Sequence, residues 1–131
     1  MGGISMNVHT QARPFNGLWA IQAHFELRAK IEAFANGKSR EHFSEPLTCA
    51  SNCIFAKWVH SKDGLLCKDR ELLDSICTNC ESFHEQASQA VLMKAIGEDD
   101  VAKQSLNLGE KYSKASSALQ RGLVNLHIIG A

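Results

Sequence analysis

The 131-residue chain lacks net charge, long apolar runs and repeats, and has little proline. Fourteen Lys and Arg are balanced by fourteen Asp and Glu. A neutral chain with no basic stripe argues against nucleic acid as its main partner. No apolar run approaches the roughly 18 residues of a membrane span. The opening "MGGISMNVHT" has no basic-then-apolar leader pattern, and Met6 stands where a myristoylation signal would need Ser or Thr. These absences together predict a cytoplasmic protein with neither nucleic acid nor membrane as partner. What remains is a chain long enough to bury one core of its own.

Only two prolines occur, Pro14 and Pro46, and both mark boundaries. Pro14 can open a helix in its first turn. The following stretch reads as helix to about Ala35, stopped by Asn36-Gly37. Its apolar stripe takes in Ile21, Leu27, Ile31 and Phe34, with His24 on the same face. Residues 38–52 are polar and irregular, and "CIFAKWVH" reads as a short helix. A long helix is predicted from about Asp69 to Ile96, with Leu73, Cys77, Cys80, His84, Ala87 and Val91 on its inner stripe. After "GEDD", capped by Asp99 or Asp100, one last helix would carry Val101, Ser105, Leu108, Tyr112, Ala115, Leu119, Gly122 and Leu126 at bundle-like 4-3 spacing. The fold class expected is all-α. It is a four-helix bundle-like domain of three long helices and one short helix carrying the Cys-x-x-x-x-Trp segment, over residues 14–127, with an extension over 1–13 and a tail over 128–131.

Five cysteines, an odd number, do not suit a disulfide framework in a reducing compartment, where Cys near His points to metal or reactivity. The stretch "CTNCESFH", residues 77–84, offers two pairings. Cys77 and Cys80 form a Cys-x-x-Cys, but a redox pair of that kind opens a helix, whose N-terminus lowers the first thiol's pKa. "DRELLDSI" already reads as helix before Cys77, so that advantage is gone. Cys80 and His84 lie one turn apart on one side of the helix, about 6 Å along its axis, and can share one ion. Against this stands the plainer reading of a buried Cys and a hydrogen-bonded core His. Two further elements favour metal: His24 on the inner stripe of the first helix, and Cys53 ahead of Phe55 and Trp58. His24, Cys53, Cys80 and His84 could supply zinc with four N and S donors from three segments. Cys49 and Cys77 are second-rank candidates. Cys67 reads as an apolar filler, and His9, His42, His60 and His127 as surface histidines. Trp58 would anchor the Cys53 segment.

The order "HFEL", "CIFAKW", "CESFHEQA" resembles the chemoreceptor zinc-binding (CZB) domain family. Its pattern is a His with a bulky apolar residue three later, then Cys-x-apolar-Gly-x-Trp, then His-x-x-x-His. His24 and Leu27 match the first element. Cys53, Phe55 and Trp58 match the second, with Ala56 in place of Gly. His84 matches the final His, and Cys80 replaces the first His of that pair. The resemblance covers roughly Leu18 to Leu126. It implies bound zinc, a homodimer and a signalling output partner, since such domains are attached to chemoreceptor or nucleotide-cyclase outputs. Two Cys and two His would make the site neutral, where the family's one Cys and three His make it positive.

The functional expectation is a zinc-binding sensory or regulatory domain, not an enzyme, in which zinc occupancy or thiolate oxidation modulates a partner. The rival readings are a metal-free structural or interaction bundle and a hemerythrin-like oxygen-binding bundle. The latter needs several His with bridging carboxylates.

Overall fold

The computed structural model describes residues 17–38, 55, 58 and 67–129. These residues form an all-α bundle of four helices with no strand among them: α1 (Gly17–Ala35), α2 (Arg70–Ala95), α3 (Asp99–Ser105) and α4 (Lys111–Ile129). The ends follow local chemistry. α1 stops where Gly37 takes φ 73°, a left-handed conformation that favours glycine. α2 begins where the Asp69 carboxylate accepts from the Leu72 amide at 3.0 Å, satisfying one of the first-turn N–H groups that have no helical partner.

The C-terminal half departs from the single last helix expected. The chain breaks between Ser105 and Lys111, and Gly109 takes φ 88°. The short helix among the described residues is therefore α3, where Ala102 is buried but Val101 faces solvent, and Leu108 in the turn beyond it is 93% exposed. The cap of α3 is also not as expected. Glu98 occupies the N-cap position without a side-chain bond, while Asp99 pairs with Lys94 at 3.0 Å on the surface. Of the "CIFAKWVH" segment only Phe55 and Trp58 are described, both in helical conformation, so the helix expected there lies largely outside the described residues.

α2 packs most extensively on α4. Gly122 of α4 makes that approach close, since a Cβ there would lie 2.6 Å from Ile76 Cγ1. The apolar core forms two clusters. One joins Ala20, Phe55, Leu73, Ile76, Cys80, Leu119, Leu123 and Leu126. The other joins Ile31, Phe83, Ala87, Tyr112 and Ala115. These memberships fix the topology. Ala20 then Ile31 on α1 accompany Leu73 then Ala87 on α2, so those helices run the same way. α4 runs opposite, from Tyr112 to Leu126. The chain from Asn36 to Asp69 therefore connects two parallel helices and must return along the bundle, about 28 Å for a helix the length of α1.

Candidate metal centre

Among the described residues, four buried polar side chains, His24, His84, Ser113 and Ser116, interrupt this apolar interior. His24, His84 and Ser116 lie at the junction of the two clusters. On α1, His24 falls between Ala20 and Ile31. On α2, His84 falls between Cys80 and Ala87, and on α4, Ser116 falls between Ala115 and Leu119. α1, α2 and α4 thus each contribute one polar side chain to this junction.

Beside this layer is a cavity of about 250 Å³, lined by His24, Cys80, His84, Leu27 and Phe55 among others. The exposed Glu26 and Lys30 also line it, so it reaches the surface. Three of the four donors expected from sequence thus share one cavity, and all three are buried: His24 at 8%, Cys80 at 1% and His84 at 4% exposure. The helical i, i+4 relation places Cys80 and His84 on one side of α2, as their spacing requires. Leu27 and Phe55, which match positions of the family pattern, line it too. Trp58 packs against the first cluster, its ring centroid 6.3 Å from that of Phe55.

The remaining candidates are placed less simply. Cys53 and Cys49 lie outside the described residues, as do His9, His42 and His60. Cys77 is half-buried against the first cluster and does not line the cavity. Cys67 is buried in that cluster, as an apolar filler would be. His127 is exposed, and its Nδ1 accepts from the Gly17 amide at 3.2 Å. Among the described residues, no group of three or more His, Cys, Asp or Glu side chains stands close enough together to hold a metal ion.

The two histidines differ in their partners. His24 Nε2 lies 2.8 Å from Ser116 Oγ, and the ring meets Phe83 edge-on with centroids 4.5 Å apart. The Nδ1 atom of His84 is buried with no hydrogen-bond partner. Leaving such a nitrogen unpaired costs about 1–3 kcal/mol, so it calls for a specific explanation. A metal ion taking that nitrogen's lone pair would remove the cost, and the neighbouring thiol and second imidazole are donors that zinc accepts. In donor type the residues suit the group, while the described side chains are not drawn to a single point.

A second polar chain links α1 to α4. Arg28 Nη1 donates to Ser116 Oγ at 3.0 Å, and Arg28 Nε donates to Glu32 Oε2 at 3.0 Å. The Tyr112 hydroxyl donates to the same Glu32 oxygen at 3.1 Å, and the Arg28 guanidinium sits 5.3 Å from the Tyr112 ring centroid. Burial, and then the charge of Glu32, push the Tyr112 phenol well above its ordinary value of 10.0. Burial works against the charge on Arg28, but Glu32 and Tyr112 outweigh it and raise its pKa.

Sequence reasoning missed Phe83 and Ser116, both fully buried. A signal existed for each. Ile76, Cys80, Phe83, Ala87 and Ala90 repeat at 4-3-4-3, as do Tyr112, Ser116, Leu119, Leu123 and Leu126. A packed helix buries a face wider than one such row. No family model matches the chain, and no curated protein or solved structure was found to match it.

Proposed function

We propose that this bundle is a zinc-binding regulatory domain, with His24, Cys80 and His84 as donors and Cys53 as the fourth. The observation that carries this reading is the buried, unpartnered Nδ1 of His84, in a side chain that shares a cavity with His24 and Cys80. Bound zinc would supply a closed set of N and S donors and turn the Cys thiols into thiolates. With all four positions filled by protein there is no open position for water, which suits regulation better than catalysis. The resemblance to CZB domains adds a homodimer, a signalling output partner and a cytoplasmic setting to the proposal. Exposed Leu18 and Phe25 on α1, with Val124 and Ile128 on α4, offer apolar surface for such partners. No described helix is long and apolar enough to cross a membrane.

A metal-free structural or interaction bundle is the second reading, and one observation favours it directly. The described donors are not drawn together into a group of three. On the described residues alone it is the better supported of the two. The hemerythrin-like reading finds less support, because the cavity lining offers two His and a single carboxylate, Glu26.

Elemental analysis of protein purified without added metal separates these readings. The zinc reading expects about one zinc per chain, since one four-donor set can be assembled. It also expects His84→Ala to lose the metal and Cys77→Ser to keep it. Protein without metal that also fails to bind added zinc would establish the metal-free bundle, and mainly iron would favour the oxygen-binding one.

A further inference from the structure

We propose that Ser116 is a positioning residue that commits His24 Nε2 to a hydrogen bond, so that metal coordination by His24 falls to Nδ1; this rests on the zinc reading of the cavity. The argument is a count of donors and acceptors. A serine hydroxyl has one proton and two lone pairs. Three side chains converge on Ser116 Oγ: Arg28 Nη1 at 3.0 Å, Gln120 Nε2 at 3.0 Å and His24 Nε2 at 2.8 Å. Arg28 and the Gln120 amide nitrogen are donors, and they fill both lone pairs. The Ser116 proton therefore points to His24 Nε2, which must accept it. A neutral ring that accepts at Nε2 carries its own proton on Nδ1.

Coordination through Nδ1 reverses this arrangement. Nδ1 gives up its proton to solvent and Nε2 takes one up, leaving the ring neutral with no net proton released. Nε2–H then donates to Ser116 Oγ, which would face three donors with two lone pairs. Arg28 cannot become an acceptor. Gln120 can, by turning its amide so that Oε1 receives the Ser116 proton. Filling the cavity thus turns over a half-buried amide on α4. That links the donor set to a helix face bordered by Ser117, Arg121 and Val124. Orienting groups of this kind are worth about 10–100-fold in metal affinity.

The test uses the full chain with 15N-labelled histidine and glutamine. Two-bond proton–nitrogen spectra, assigned with His24→Ala, read which ring nitrogen carries hydrogen or metal. In the metal-free protein we expect His24 protonated on Nδ1. With one equivalent of zinc we expect metal on Nδ1, hydrogen on Nε2 and a shifted Gln120 amide signal. Ser116→Ala should weaken zinc binding by about 10–100-fold in chelator competition, and Ser116→Thr, which keeps the hydroxyl, should restore most of it. Zinc on Nε2 overturns the inference while leaving the zinc reading intact, and so does unchanged affinity in Ser116→Ala. Failure of the unaltered protein to bind zinc overturns both. The wild-type spectra decide the matter even if a variant loses helicity.

Discussion

His84 is a buried side chain whose unpartnered Nδ1 should weaken the metal-free fold. Replacing it by an apolar residue of similar size removes the unpaired nitrogen, a gain on the order of 1–3 kcal/mol. We therefore expect His84→Leu to melt at a higher temperature than the wild type when both are metal-free. Zinc should raise the melting temperature of the wild type, by binding only the folded state, and leave His84→Leu unmoved. An equal zinc shift in both proteins would remove His84 from the donor set. Tyr112 gives a second prediction, helped by its being the chain's only tyrosine. Its phenol is held above the ordinary 10.0 in the fold, so above about pH 10 the unfolded chain releases a proton that the folded chain keeps. Stability is intact below that pH and falls as pH rises through this range. Tyr112→Phe should lose about 0.5–1.5 kcal/mol with its bond to Glu32 and show a shallower alkaline decline in urea unfolding. At this scale the burial of His24, Cys80 and His84 along one cavity was legible, because a donor pattern constrains residue type and spacing together. Ser116 was not, because a lone serine on a helix has no type-specific signature until its neighbours from α1 are in place.

At the scale of the element, α2 was legible almost to the residue. Asp69 announces its start, and its buried row is long and regular. The last helix was not, because Val101, Ser105 and Leu108 continue the 4-3 rhythm across a real break. Rhythm measures phase, and Leu108, almost fully exposed, keeps the phase while packing against nothing. The Asn107 and Gly109 pair was the better guide, since Gly109 adopts a left-handed conformation that would interrupt a helix. One close contact between elements is Gly122 against Ile76. Gly122→Ala gains about 1 kcal/mol of helix propensity, but its methyl would lie 2.6 Å from Ile76 Cγ1. Overpacking costs about 1–3 kcal/mol, so we expect net destabilisation in chemical unfolding. Adding Ile76→Ala should lose less stability than the two single changes summed, because the small residue makes room for the methyl. Strict additivity would mean that α2 and α4 shift apart freely.

For the whole molecule, the sequence pattern yielded an all-α bundle but not its direction of travel. Amphipathic rows carry no information on whether two helices run parallel. The parallel course of α1 and α2 emerges only from which side chains meet. It matters for the site because the connecting chain must pass back along the bundle, and Phe55 from that connection lines the cavity. A donor two residues before Phe55 would tie this connection to the helices. Zinc should therefore change amide-exchange protection most within residues 50–60, less in α4 and least in the second apolar cluster. Uniform protection across all helices would make zinc a structural staple and leave regulation without a moving part.

The bond between the Gly17 amide and His127 places the first residue of α1 beside the last turn of α4. Tethers leaving those two helix ends would emerge from the same pole of the molecule. Tension between them would act across the α1–α4 seam rather than along it, peeling contacts one at a time instead of shearing them together. The order is set by position: Gly17–His127 first, then His24–Ser116, then Glu32–Tyr112. A mechanical load at that pole would thus reach His24 before it disturbs the cluster around Phe83, pulling one proposed donor away from the two that α2 holds in place.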